Sequence, residues 1–156
     1  VRSRGLGDVY KRQTLQIAAE KKGQTLTADI APGITLDGDS GKLMQIFYNL
    51  TDNAIKYTPE NGHIAVRLAQ SGANVLFAVT DDGIGIPEED QKHIFERFYR
   101  VDKARSRATG GTGLGLSIVR QLAAMHGGTV SVSSRPGQGA TFTVTLPMDA
   151  KRGEKA

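Results

Sequence analysis

Residues 39–59 read DSGKLMQIFYNLTDNAIKYTP. Asp39 is a favourable N-cap and Pro59 a stop, so this stretch predicts one long helix that ends near Thr58. At about 100° per residue, one side of the helix is apolar. Its members are Leu43, Ile46, Phe47, Leu50, Ala54 and Tyr57. A polar stripe beside it contains Gln45, Asn49, Asn53 and Lys56. The helix therefore predicts a core contact along one side and a row of polar groups next to it.

The polar stripe carries groups suited to a metal–phosphate complex. The carboxamide oxygen of Asn49 or Asn53 is a neutral hard ligand for Mg²⁺, which completes its shell with water and nucleotide phosphates. Lys56, one turn further on, adds a point charge for the same phosphates. Taken alone, however, the stripe is explained at least as well by a solvated helix face.

The elements around this helix mix helices with mostly antiparallel strands. We predict helices over residues 8–23 and 113–126, and a short acidic helix that starts at residues 87–90 and carries Ile94 and Phe95. Five strands are predicted, the last four as two hairpins, over residues 24–30, 63–70, 75–81, 129–134 and 140–146. Residues 99–113, almost without apolar side chains, predict a surface loop. The fold class is therefore α+β, a two-layer sandwich with helices on one face of a mixed, mostly antiparallel sheet.

Two further stretches are rich in glycine. Residues 81–87, DDGIGIP, end a predicted strand, where glycines let backbone approach a flat ligand and Asp81 can accept a hydrogen bond from an exocyclic amine. Residues 110–116, GGTGLGL, open a helix, where free amides form an anion site. The second stretch lacks the Lys-Ser/Thr of a Walker loop and the spacing of a dinucleotide fold. Taken alone, the first is often a strand-ending turn and the second is weak evidence.

The amino-acid composition excludes cysteine chemistry and argues against a nucleic acid partner. The chain has 156 residues, the size of one domain, and no cysteine, which removes thiol nucleophiles and Cys-ligated zinc. The net charge of +4 comes from the ends, because residues 14–148 hold 13 basic and 13 acidic side chains. Basic ends on a neutral body are weak evidence for a phosphate-backbone partner, so we expect no nucleic acid partner.

Taken together and in order, these motifs resemble those of the ATP-binding catalytic domain of sensor histidine kinases, within the wider superfamily of gyrase-type and mismatch-repair ATPases. Residues 49–59 resemble the N box of that family and residues 81–87 its G1 box. Residues 94–100 resemble its F box and residues 111–116 its G2 box. Residues 137–142, GQGATF, match its closing turn and strand. The resemblance covers residues 20–148 and implies a Bergerat-type fold with ATP and Mg²⁺ as cofactors.

The resemblance implies a role for each matching position. Asn53, with Asn49, would hold Mg²⁺, and Asn49, Lys56 and Arg100 would be the catalytic set, the last two contacting phosphates. Asp81 would accept a hydrogen bond from the adenine amino group. The implied nucleotide-binding set also includes Tyr57, Gly83, Gly85, Ile86, Gly111, Thr112, Gly113, Leu114, Gly115, Leu116 and Thr141. Residues 99–112 would be a lid over ATP, with Phe95 and Phe98 anchoring its start in the core.

Position 49 separates a kinase from a hydrolase within this resemblance. In the hydrolytic relatives a glutamate there serves as general base for water, and the amide of Asn49 cannot accept a proton. Rapid ATP hydrolysis is therefore not expected, and the nucleophile would come from another domain. The family's phosphoacceptor histidine lies in a preceding helical hairpin, within a His-Glu/Asp-x-Arg sequence. None of His63, His93 and His126 lies in such a sequence.

The implied function is donation of the γ-phosphoryl group of Mg–ATP to a histidine on the dimerisation domain of the parent kinase. A response regulator receiver domain would be the next partner in such two-component signalling. Two alternatives stay open: an anti-sigma-type serine kinase, which residues 95–100 disfavour, and a non-catalytic nucleotide-sensing module.

The chain divides into three parts by composition. We interpret residues 1–13 as a non-native or linker segment, residues 14–148 as the ATP-binding catalytic domain and residues 149–156 as a basic tail. With no long apolar stretch, the chain itself is expected to make no membrane contact and to lie in the cytoplasm, and its parent protein can be membrane-anchored.

Overall fold

The long helix occurs where the sequence predicts it. The computed structural model describes residues 2–4, 19–99, 115–135 and 137–148, and in it helix α1 spans Ser40–Tyr57. The Asp39 side chain accepts a hydrogen bond of 3.0 Å from the backbone N–H of Lys42, which satisfies one free amide of the first turn. Thr58 follows the helix, and its N–H donates to the carbonyl of Ala54 at 3.0 Å.

Seven strands occur among the described residues. They are β1 (Arg2–Arg4), β2 (Thr25–Ile30), β3 (Thr35–Asp37), β4 (His63–Ser71), β5 (Asn74–Asp81), β6 (Thr129–Ser134) and β7 (Ala140–Pro147). Five of them form one sheet in the order β2-β4-β5-β7-β6, in which the β2/β4 pair is parallel and the other three pairs are antiparallel. Strands β1 and β3 form a separate antiparallel pair. The predicted mixed, mostly antiparallel sheet is confirmed.

One face of this sheet carries the helices. Helices α1 and α3 (Gly115–Met125) pack against each other and over the sheet, while α2 (Glu88–Gln91) lies beside β6. Side chains alternate along a strand, and those facing the helices are apolar and buried. They include Ile64, Val66, Leu68, Val75, Phe77, Val79, Phe142, Val144 and Leu146. The two-layer α+β sandwich is therefore confirmed. None of the described helices has the length and apolar character needed to span a membrane.

Two side chains that precede β2 satisfy the carbonyl end of α1. The ammonium of Lys22 donates to the carbonyls of Ile55 and Lys56 at 2.9 and 3.1 Å. The carboxamide nitrogen of Gln24 donates to the carbonyls of Ile55 and Thr58 at 2.9 and 2.6 Å. A positive charge at a helix C-terminus is also favoured by the helix dipole. The last turn of α1 is thus fixed by the chain segment that leads into the sheet.

The acidic helix is shorter than predicted. It ends at Gln91, and Ile94 and Phe95 lie in the turns that follow. The backbone N–H of His93 bonds to Asp90, three residues earlier, and such tight bonds replace the α-helical pattern. Both apolar side chains are nevertheless buried.

Only one of the two predicted phenylalanine anchors lies in the core. Phe95 is buried with its ring edge-on to Phe142 at a centroid distance of 6.1 Å. Phe98 is 61% exposed, so its predicted anchoring is wrong. Its φ of 63° turns the chain, and its ring lies 5.2 Å from the Arg97 guanidinium, while Tyr99 packs against the core instead.

The first predicted helix and the predicted surface loop lie mostly outside the described residues. Residues 19–21 are helical, while residues 8–18 of the predicted first helix lie outside the described residues. So do residues 100–113 of the predicted surface loop. Strands β1 and β3 were not predicted, because three residues are too few for a periodic signal. Strand β1 falls within the segment interpreted as non-native or linker.

Removing the Phe47 ring, which packs α1 against the sheet, should strongly lower the stability of the fold. Phe47 packs on Phe77 with ring centroids 4.4 Å apart and is fully buried. We expect Phe47→Ala to lower the free energy of unfolding by about 3–5 kcal/mol, measured by urea denaturation. The control is Tyr48→Ala on the exposed side of the same turn, which should cost under about 1 kcal/mol. Equal losses in the two variants would contradict this packing.

Candidate functional site

The polar stripe of α1 lies at the edge of its buried face. Asn49 and Asn53 are half-buried, and neither carboxamide has a hydrogen-bond partner among the described residues. Lys56 is also half-buried, and its ammonium lies 3.1 Å from the carboxylate of Asp52, one turn earlier. Asp52 is not among the predicted site residues, although its i,i+4 spacing to Lys56 is a recognisable signal. The stripe thus presents two available amide oxygens and a cation held by an anion.

Asp81 ends β5 with its carboxyl group almost out of contact with solvent. The residue is 8% exposed, and its Oδ1 accepts a hydrogen bond from the backbone N–H of Gly83 at 2.9 Å. Burial raises the pKa of Asp81, and the backbone N–H groups of Gly83 and Ala140 counteract it in part. The nearby charge of Asp82 adds a smaller upward contribution to this pKa. A buried acceptor of this kind can recognise an amino group on a flat ring.

Gly83 joins this turn to the end of α1. A Cβ added at Gly83 would lie 2.6 Å from the carbonyl oxygen of Tyr57 and 2.9 Å from Oδ1 of Asp81. No side chain fits there, so the glycine brings Asp81 against the last turn of the helix. Gly85 follows with φ of 72°, a left-handed conformation that glycine adopts without strain. The structure therefore brings Gly83 and Asp81 against Tyr57, and the roles of these residues and of Gly85 in nucleotide binding stay predictions.

The closing strand brings a different residue to Asp81 than predicted. In the β5/β7 register, Ala140 lies opposite Asp81 and Thr141 opposite Thr80. Directly opposite residues share a face, so Thr141 points away from Asp81, and its hydroxyl lies 3.1 Å from that of Thr80. The placement of Thr141 in the nucleotide site is thus corrected. The alternation of β7, with Phe142 in the core, was the available signal.

The predicted phosphate-binding residues are described only in part. Arg100, Gly111, Thr112, Gly113 and Leu114 lie outside the described residues. Gly115 opens α3, and a Cβ added there would meet nothing within 4 Å. Leu116 is half-buried and packs against the core. Gly115 thus starts a helix and Leu116 makes a packing contact, and their roles in nucleotide binding stay predictions.

Two polar side chains outside the motifs hold the glycine turn. Ile86 donates its N–H to the Ser134 hydroxyl at 2.8 Å, and the Ile86 carbonyl accepts from Gln91 at 2.9 Å. Ile86 itself is half-buried and packs against the core. Ser134 and Gln91 were not predicted, because neither lies in a recognisable pattern and the contact of Ser134 with Ile86 spans 48 residues.

Asp82 faces solvent beside the buried carboxyl of Asp81. Its Oδ1 accepts the backbone N–H of His63 at 2.7 Å, and its Oδ2 lies 3.0 Å from the His63 ring. The backbone hydrogen bond from His63 is the main reason why the pKa of Asp82 is lowered. Two adjacent carboxyl groups thus have pKa values moved in opposite directions.

This contrast predicts opposite pH dependences of stability. With its pKa raised above the ordinary 3.8, Asp81 keeps its proton longer in the folded than in the unfolded state, so its ionisation lowers stability as pH rises through that interval. Asp81→Asn should gain stability relative to the parent chain over the same interval, and the gain should stay constant above it.

For Asp82 the sign reverses, since its folded pKa lies below 3.8. Its stabilising contribution is present above that value and lost as pH falls through the folded pKa. Asp82→Asn should therefore lose stability relative to the parent chain as pH rises through that lower interval. Urea denaturation of the three proteins between pH 3 and 7 measures both effects. Parallel curves for the two variants would contradict the assignment.

A protein-family model and curated relatives match most of this chain. Residues 38–150 match the family model described as histidine kinase-, DNA gyrase B-, and HSP90-like ATPase. The chain is 48% identical over 132 residues to the sensor-like histidine kinase SenX3 of Mycolicibacterium smegmatis, covering 85% of this chain and 34% of that protein. It is 42% identical over 142 residues to the sensor histidine kinase YclK of Bacillus subtilis, covering 90% and 30%. The chain thus spans about a third of the length of these curated relatives.

Solved structures give the same result. The mycobacterial sensor histidine kinase MprB superposes with a TM-score of 0.81 at 31% identity, covering 94% of this chain and 97% of that one. The catalytic domain of histidine kinase ThkA superposes with a TM-score of 0.80 at 28% identity, covering 94% and 92%. The chain therefore belongs to the histidine kinase-, DNA gyrase B- and HSP90-like ATPase family, as an ATP-binding catalytic domain of the sensor histidine kinase type.

Proposed function

We propose that this chain binds Mg–ATP between α1 and the turn at residues 81–86, and donates the γ-phosphoryl group to a histidine of another domain. The observation that carries the proposal is the contact at Gly83, where a Cβ would lie 2.6 Å from the carbonyl of Tyr57. This contact sets a buried carboxylate beside the helix that carries two carboxamides and an ammonium. A purine acceptor and phosphate-directed groups then belong to one site.

The adenine ring would lie against the turn. Asp81 would accept a hydrogen bond from the exocyclic amine, as its burial and acceptor-only chemistry support. Gly83 and Gly85 would leave room for the ring, and Ile86 and Tyr57 would supply apolar contact. Adenine carries an amine, which donates a hydrogen bond, at the position where guanine carries a keto oxygen, which only accepts one. The contact with Asp81 therefore favours adenine over guanine.

The phosphates and the metal would lie along α1. Asn53 and Asn49 fit Mg²⁺, because their half-buried oxygens are hard, neutral and without hydrogen-bond partners among the described residues. When bound, Mg²⁺ would neutralise charge on the phosphates. Lys56 would exchange its ion pair with Asp52 for a phosphate contact. Arg100 and Gly111–Leu114 keep the phosphate-binding roles that the family resemblance implies.

Transfer requires a nucleophile from elsewhere. The amide of Asn49 accepts no proton, so it does not activate water, and the domain holds ATP without rapid hydrolysis. His126 has both ring nitrogens in hydrogen bonds, and His63 and His93 lie beside Asp82 and Glu96. An imidazole nitrogen of the other domain would attack the γ-phosphorus. The bond to the bridging oxygen would then break, and ADP would leave with the electron pair.

Removing one of the two proposed metal ligands should reduce the Mg²⁺ dependence of nucleotide affinity. We expect Asn53→Ala to weaken ATP binding about 10- to 100-fold at saturating Mg²⁺, because the metal loses one of its two proposed protein oxygens. Titration calorimetry with and without EDTA measures this. Asn74→Ala, at an exposed position that starts β5, is the control and should bind like the parent chain. Unchanged Mg²⁺ dependence in Asn53→Ala would remove Asn53 from the site.

Mixing the chain with a phosphoacceptor hairpin tests the transfer itself. With γ-labelled ATP and the His-bearing hairpin of a sensor kinase that it resembles, label should appear on the hairpin histidine. A hairpin with that histidine replaced by glutamine should stay unlabelled. Nucleotide binding without any label would favour a sensing module, and label on a partner's serine would favour a serine kinase. Either result would contradict the proposed transfer.

A further inference from the structure

A hydrogen-bond network ties the glycine turn to the β6–β7 hairpin. The Ser134 hydroxyl accepts the N–H of Ile86 at 2.8 Å and donates its own proton to the carbonyl of Gly139 at 2.7 Å. The carbonyl of Ile84 accepts the N–H of Gly137 at 2.8 Å. The turn is thus hydrogen-bonded to the start and the middle of the hairpin loop, and Ser134 also bonds to the end of that loop. One hydroxyl carries two of these bonds.

Gln91 adds a second connection from α2. Its carboxamide nitrogen donates to the carbonyls of Ile86 and Ser134, each at 2.9 Å. Two carbonyl acceptors require the nitrogen on that side, so both N–H groups of the amide are used. The N–H and the carbonyl of Ile86 are therefore both fixed, one by Ser134 and the other by Gln91.

The same hairpin also contacts the buried carboxyl residue. A Cβ added at Gly139 would lie 2.0 Å from the carbonyl oxygen of Asp81. Asp81 and Ile86 are the two ends of the proposed purine-contacting turn. Both therefore contact the hairpin, Ile86 at Ser134 and Asp81 at Gly139. A shift of Ile86 relative to this hairpin would change the spacing between the Asp81 carboxylate and the far side of the turn.

We infer that Gln91 and Ser134 are positioning residues for nucleotide binding, which hold the turn at residues 81–86 in the shape that accepts a purine. The inference rests on the proposed function, since it assigns a purine to this turn. Both residues act through Ile86. Their removal should weaken affinity in each folded molecule without reducing the number of binding sites.

Gln91→Glu tests the inference with almost no change in shape. The substitution places a carboxylate oxygen against two carbonyl oxygens in place of two donors, so we expect the Kd for Mg–ADP at pH 8 to rise about tenfold. Calorimetric stoichiometry should stay at one. Protonation of the introduced carboxyl restores one donor, so the deficit should shrink as pH falls towards 5. Gln138→Glu, exposed in the same hairpin loop, controls for the added charge and should bind like the parent chain.

Neighbouring serines provide a second test. Ser134→Ala removes the acceptor of the Ile86 N–H, so exchange of that amide should accelerate about tenfold and the Kd for Mg–ADP should rise severalfold. Ser133→Ala, exposed on the same strand, should change neither. A lowered stoichiometry at unchanged Kd in Gln91→Glu or Ser134→Ala would show a purely structural role and overturn the inference.

Asp81→Asn separates failure of this inference from failure of the proposed function. If Asp81→Asn binds ADP and GDP like the parent chain, the proposed purine site itself is wrong. If Asp81→Asn weakens ADP binding while Gln91→Glu and Ser134→Ala do not, the site stands and the positioning role is overturned. Loss of affinity in all three variants, with normal binding in both controls, is the expected result.

Discussion

The buried carboxyl group of Asp81 lies where β5, the last turn of α1 and the start of β7 meet. Two glycines allow this meeting, since a Cβ at Gly83 or Gly139 would lie 2.6 Å or 2.0 Å from a backbone oxygen of a neighbouring segment. Burial disfavours the charged carboxylate, and the N–H of Gly83 compensates only in part. The ionised carboxylate of Asp81 is thus unfavourable for the stability of the fold, and carboxyl groups with raised pKa values occur often at functional sites.

Helix α1 couples that junction to the core. Its apolar stripe, with Phe47 packed against Phe77, fixes the rotation of the helix about its axis. Because side chains three and four residues apart share a face, the same rotation sets the direction of Asn49 and Asn53. Lys22 and Gln24 hold the carbonyl end of the helix. Core packing and the placement of the two carboxamides are therefore consequences of one element.

Much of this could be predicted from local patterns. Caps, stops and periodicity gave α1 and the sheet strands, since each depends on neighbouring residues. Errors arose where a contact between distant segments decided the outcome. Phe98 itself adopts a left-handed conformation and is 61% exposed, and Tyr99 takes the core contact instead. Thr141 belongs to a strand whose register with β5 sets its side chain on the outer face.

The sequence by itself determined the family, the α+β class and the order of the motifs, because glycine spacing, capping and hydrophobic period are local properties of the chain. Only the tertiary structure decided which groups share the site. The pairing of β5 with β7 brings Ala140, not Thr141, to Asp81. Hydrogen bonds across 48 and 43 residues bring Ser134 to Ile86 and to Gln91. Such contacts depend on how the strands pair and the helices pack, and no short stretch of sequence encodes them.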